Sequence, residues 1–383
     1  MKTRAGPVSV RRVLFATATP MASIFGSGFL IIVPVLERTL GAWAVFGALA
    51  VCALAWVIGT AVRHCVRVVE PLAASGELDR TTASLDRWGD AVIVVAYVIS
   101  VALYLRIMAE YLVGLVVPEG DLRWEKAVAC AAVVVISIVG IRRGFQGLEF
   151  LERAALAVVF VLTFALGVAL LVHDAREHFG PGLTLPPVPD VAPVTTLLVL
   201  GGIVITVQGF ETIRYLGDDY DAETRIWASR IAQIVATIVY VLFVAVATPV
   251  MGIGTSDGYD NTLLDITRRV APLLTIPLVI SAVLSQFSAA TADTAAADGN
   301  MRGLWTWMRG SRPYVIGGAA AILLAATVET FWIIAVASRA FAAYYALQAI
   351  IALRTSPSLG RKLGYGALSA LMVAITVLAE PAG

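Results

Sequence analysis

Long apolar runs recur from one end of this 383-residue chain to the other, and they constrain the fold more than any motif does. A helix that crosses a bilayer needs about 20 mostly apolar residues. Eleven stretches meet or approach that length: 13–36, 42–63, 89–117, 126–141, 154–172, 194–214, 230–252, 271–297, 313–328, 330–353 and 363–379. The chain is 59% hydrophobic and 14% charged, against roughly 25% charged for a soluble domain. The deficit is spread over the whole length, so no water-facing domain is expected. The first run continues to Leu36 without a small-residue cleavage pattern, which marks a first span rather than a signal peptide. The ninth and tenth runs nearly touch at Glu329, and the third and eighth are long enough to tilt or project.

Charge is sorted by side. With the N-terminus inside, 20 lysines and arginines fall in inside segments and 6 in outside segments, leaving Arg106 and Arg339 within spans. The bias alternates across every loop, which predicts a bacterial cytoplasmic-membrane protein with its N-terminus in the cytoplasm and its C-terminus outside. Cys52, Cys65 and Cys130 have no ligand spacing, and His64, His173 and His178 are expected in loops, so neither a metal nor a redox site is expected. The outside loops 173–193 and 253–270 are each long enough for a surface helix. The second carries Asp257, Asp260 and Asp265, read as a solvated acidic loop rather than a calcium site.

Two spans contain features that a plain membrane helix does not need. The first has Pro20 followed by Ser23, Gly26, Ser27 and Gly28; the sixth has Gly201, Gly202 and then Gln208, Gly209, Phe210 and Glu211. Proline removes a donor and glycine lowers the cost of unwinding. Unwound backbone inside a bilayer survives only where protein or a cavity satisfies it. Gly26 and Gly209 lie 183 residues apart. Spans one and six would then open two five-span repeats of opposite orientation, the arrangement of transporters with discontinuous helices at the bilayer midplane. The expected division is 1–172 for the first repeat, 194–353 for the second and 354–383 for an additional C-terminal helix.

The segment Ser23 to Phe29, with Pro34 and Gly41-Ala42-Trp43, resembles the first-helix signature of the amino acid–polyamine–organocation (APC) superfamily. Gln208-Gly209-Phe210-Glu211, followed by Asp218-Asp219 and Ala222-Glu223-Thr224-Arg225, is similar to that superfamily's sixth helix and the segment after it. The usual Asn-Pro before the arginine is absent, and span five carries no lysine after Arg153. The resemblance implies an all-α membrane protein of about eleven transmembrane helices with a LeuT-like five-plus-five inverted repeat. It implies a permease, symporter or antiporter, not an enzyme, which moves an amino acid or amine by alternating access. The alternative is a membrane nutrient sensor on the same fold. Its expected partners are the lipid bilayer and a small-molecule substrate, not nucleic acid. No cofactor is expected, with Na+ or H+ as the coupling ion.

The substrate would meet Ser23, Gly26, Ser27, Gly28, Tyr104, Val207, Gln208, Gly209, Phe210 and Glu211. Amides of 26–28 would face its anionic group and carbonyls of 207–209 its ammonium. Ion coupling would fall to Glu211, Ser288, Thr291 and Asp293. Charges at bilayer depth cost at least about 2.5 kcal/mol each, so Arg106 and Glu110, spaced i,i+4, are expected to pair. Arg214 is expected beside Glu211. Tyr97, Tyr104 and Tyr111 line another face of span three.

Overall fold

A computed structural model describes residues 9–26, 28–117, 121–179, 185–217, 219–251 and 262–379. Ser27, Asp218, Asp257 and Asp260 lie outside the described residues. Thirteen α-helices and no strand occur among those described: α1 (Val10–Ile24), α2 (Gly28–Leu40), α3 (Ala44–His64), α4 (Glu70–Ser75), α5 (Arg80–Val116), α6 (Leu122–Phe179), α7 (Pro193–Gly202), α8 (Ala222–Ala247), α9 (Thr262–Val270), α10 (Thr275–Leu304), α11 (Arg312–Thr327), α12 (Thr330–Thr355) and α13 (Leu359–Leu378).

Eight stretches among the described residues are long and apolar enough to cross a membrane, fewer than the eleven read from hydropathy. The difference has local causes. Span one is interrupted, so α1 falls short while its second piece runs on with span two as one stretch, Leu30–Ser75; span six is interrupted, so α7 falls short; and α11 has only 16 residues. The fourth and fifth spans are not separated by a loop. Both fall in α6, as the apolar stretches Leu122–Arg142 and Ala155–His178. No proline occurs between Leu122 and Phe179 to stop the helix. Its first stretch packs along α11, where Cys130 Sγ lies 3.9 Å from Ile322 O; its second packs on α1, where the Phe160 and Phe25 rings are 4.6 Å apart. The long third and eighth spans appear as α5, 37 residues, and α10, 30 residues. The ninth and tenth spans are cleanly divided: α11 stops at Thr327, and Glu329, in extended backbone, precedes α12.

α5 is the central helix, packed against α6, α10, α11 and α12, while α1 lies against α8 and α10. α10 allows this close approach by presenting small residues, including Ala282, Ala289, Ala290 and Ala292, all buried. The outer helix faces carry Leu242, Phe164 and Leu323, as expected of surfaces that meet acyl chains. The extra helix α13 packs on α12, where Arg339 donates to Ala379 O at 2.7 and 3.1 Å and so caps its end. The histidines depart from expectation. His64 ends α3, buried and 2.9 Å from Thr355 Oγ1, and His173 and His178 lie within α6. Of the two loops expected outside, the second holds a short helix, α9, in which Asp265 pairs with Arg268 at 3.7 Å.

Arginines gather at one end of the bundle. Arg214 pairs with Asp86 at 2.9 Å and Glu70 at 3.9 Å, Arg225 with Glu70 at 2.6 Å, Arg67 with Glu223 at 3.1 Å and Arg354 with Asp79 at 3.0 Å. Charge sorting assigns all of these arginines to one side. Asp79 also caps α5, accepting from the amides of Thr81 and Thr82. Hydrogen bonds from Thr82 hold its carboxyl down at about 2. At the opposite end Arg106 lies 3.8 Å from Glu110, the expected i,i+4 pair, and 3.9 Å from Glu125.

Candidate functional site

Both expected helix breaks are present. α1 ends at Ile24, Phe25 and Gly26 form a turn, and α2 begins at Gly28. An interrupted helix leaves carbonyls without intrahelical donors. Here they are met by side chains from other helices. Gln286 of α10 donates to Gly26 O, and the Tyr240 hydroxyl of α8 donates to Ile24 O at 2.6 Å.

The second break is longer. α7 ends at Gly202, a 3-10 turn covers Val204–Val207, Gln208 and Gly209 are irregular, and a second 3-10 segment runs over Phe210–Leu216. Gly209 has φ +130°, a conformation that side chains disfavour. A Cβ there would also come within 2.8 Å of Ser23 Cβ and 2.7 Å of Ile24 N. The two breaks therefore touch at Ser23 and Gly209. Tyr240 joins them again, since its hydroxyl is 3.2 Å from Thr206 O as well. Gly28 completes the junction: a Cβ on it would strike the Tyr240 hydroxyl and Thr206 O.

The second break supplies most of its own partners. Gly209 N–H donates to Glu211 Oε2 at 2.9 Å, and Gly209 O accepts from Thr212 Oγ1 at 2.6 Å and Thr212 N at 3.1 Å. Ser338 of α12 donates to Gly202 O. Glu211 is fully buried; its Oε2 also accepts from Tyr345 at 2.9 Å, and the Tyr97 hydroxyl adjoins the same carboxyl. Phe210 stacks on Tyr345 with ring centroids 5.5 Å apart. Gln208 donates to the Tyr104 hydroxyl at 2.6 Å.

Most of the residues singled out in the sequence meet at this junction: Ser23, Gly26, Gly28, Tyr104, Gln208, Gly209, Phe210 and Glu211, with Val207 buried beside them. Asp293 joins them, because Ser23 donates to its Oδ1 at 3.3 Å and Ser100 to its Oδ2. Thr291 turns its hydroxyl to its own helix, onto Ser288 O at 2.7 Å. Ser288 is buried on the same helix. Arg214 does not pair with Glu211; Asp86 and Glu70 hold it. Sequence reasoning missed Tyr240, Gln286, Tyr345 and Ser100. For Ser100 a signal existed: Asp86, Asp90, Tyr97, Ser100 and Tyr104 fall within about 40° of one line on α5 at 100° per residue.

Residues 7–379 match the family model described as APC superfamily transporter. A relative from Aquifex aeolicus (strain VF5), called an uncharacterized protein, is 33% identical over 347 residues, which cover 89% of this chain and 84% of the relative. The chain belongs to the APC superfamily of transporters.

Proposed function

We propose that the protein is a secondary active transporter that moves an amino acid or amine across the bacterial cytoplasmic membrane by alternating access, coupled to H+ or Na+. One observation carries this reading: two interrupted helices meet, with the buried Glu211 carboxyl at their junction. Non-helical backbone at membrane depth marks solute sites in transporters built from repeats. The breaks open the two halves proposed as inverted repeats, 1–172 and 194–353, with 354–383 as an addition. In this reading α1–α3, α7 and α8 rock against α5, α6 and α10–α12. The N-terminus lies in the cytoplasm, on the side of the arginine-rich end, and the C-terminus outside.

The solute lies against Ser23, Gly26, Gly28, Tyr104, Val207, Gln208, Phe210 and Glu211. Because the Gly209 carbonyl and amide are already bonded to Thr212 and Glu211, an ammonium group is better met by the charge of the Glu211 carboxylate than by that carbonyl. Asp293 and Glu211 are the acids through which an ion would couple.

Purified protein is screened by thermal shift against amino acids, amines and cations, and stabilising compounds are then followed as radiolabelled flux into proteoliposomes. Saturable uptake driven by a proton or sodium gradient is the expected result. Saturable binding without flux would replace the transporter reading with that of a sensor.

A further inference from the structure

Between Glu211 and the arginine-rich end, buried polar side chains follow one another in a column, several of them with unfilled hydrogen-bonding capacity. Among the described residues, the Tyr344 hydroxyl, both amide atoms of Gln348 and Arg214 Nη1 make no hydrogen bond, while the Tyr97 hydroxyl reaches the Glu211 carboxyl and the Tyr215 hydroxyl reaches Asn300. Tyr97, Tyr344, Gln348 and Glu211 are completely buried. The members adjoin. Tyr97 and Tyr215 meet edge-on at 5.8 Å, and Tyr344 and Tyr345 lie 5.5 Å apart. A Cβ on Gly89 would be 3.2 Å from Gln348 Nε2 and 3.9 Å from the Tyr344 ring, which places both beside Asp90 of α5.

Each unpaired buried polar group is unfavourable, and native proteins meet such groups with ordered water. An isolated case is common in any membrane bundle; a continuous run from the bilayer centre to a charged end is a route. From Tyr97 to Asp86 is 11 residues, about 16 Å of helix.

We propose that this column is a hydrated proton path between Glu211 and the arginine-rich end, with Asp90 as its terminal relay. The proposal rests on the reading of Glu211 as a coupling acid and selects H+ over Na+. Glu211 is faced by Tyr345, Tyr97, Tyr344 and Tyr215, with Asp293 across Tyr97. Asp90 is faced by Arg214, Asp86, Glu70 and Tyr215. One proton leaves the Glu211 carboxyl for water, each tyrosine accepts one and passes one on, and one arrives on the Asp90 carboxylate. The intermediates end unchanged.

Proton access to Glu211 is read without any solute, by infrared spectroscopy of the purified protein moved from H2O to D2O at acidic pH. The Glu211 band is identified by its loss in Glu211→Gln. Asp90→Asn and the double variant Tyr215→Phe/Tyr344→Phe are expected to slow its exchange by about tenfold or more. Gln348→Leu serves where either fails to fold. Unchanged exchange in the folded variants overturns the path. So does a wild-type band that does not exchange, or slowing by Thr330→Val at the opposite end. Failure of solute flux in proteoliposomes with these exchange effects intact would sink the transport reading and leave the path standing.

Discussion

The two helix breaks solve the same problem in opposite ways. At Phe25–Gly26 the chain leaves the helix for a single turn, and its freed carbonyls depend on Gln286 and Tyr240, side chains from α10 and α8. At 203–216 the chain stays out of α-geometry far longer, yet Glu211 and Thr212 of the same segment bond the Gly209 amide and carbonyl. The first break is held from outside, so any movement of α8 or α10 changes its environment. The second is supported largely by its own residues, with Tyr240 on Thr206 O and Ser338 on Gly202 O as additions from α8 and α12. In the proposed alternating-access cycle the first break would then be the more responsive element and the second the more fixed one.

The largest effect should come from Gly28→Leu. The added side chain has no room against Tyr240 and Thr206, so it separates the breaks where they are joined. Uptake should be abolished while membrane insertion persists, and thermal melting in detergent should show a large loss. Wild-type uptake would mean that the junction is not the solute site.

Glu211→Gln should come next and should separate function from fold. The carboxamide oxygen can still accept from the Gly209 amide and from Tyr345, so melting should change by no more than about 1 kcal/mol. Uptake should nevertheless be lost, because the side chain can no longer release a proton. A variant that melts normally and transports normally would reduce Glu211 to a support for the second break.

The breaks themselves were legible in the sequence, because glycine and proline act locally. Their supports were not. Tyr240 lies 216 residues from Ile24 and no local pattern marks it; Gln286 stands in the polar run of span eight, but nothing local says that it bonds Gly26, 260 residues away. Arg214 was misread for the same reason: Glu211 is near it in the chain, whereas Asp86, 128 residues away, is its partner. Asp293 was legible because a carboxylate deep in an apolar span needs polar company, and Ser23 and Ser100 provide it.

Tyr240→Phe tests the external support alone. It keeps the ring that lies 5.5 Å from Phe25 and removes only the hydroxyl beside Ile24 O and Thr206 O. Leaving those buried carbonyls short of a donor should cost about 1–3 kcal/mol in melting and reduce uptake about tenfold. An uptake loss much larger than the melting change would place the hydroxyl in contact with the solute instead.

Thr212→Val should have the smallest effect, and it tests the claim that the second break supports itself. The substitution removes the 2.6 Å bond from the hydroxyl to Gly209 O but leaves the Thr212 amide on the same oxygen at 3.1 Å. One of two donors remains, so the cost should stay near 0.5–1.5 kcal/mol, roughly the net value of one hydrogen bond. Uptake should fall less than in Tyr240→Phe. If Thr212→Val instead proves the more damaging of the two, the second break is the fragile one, and the roles assigned to the two breaks must be exchanged.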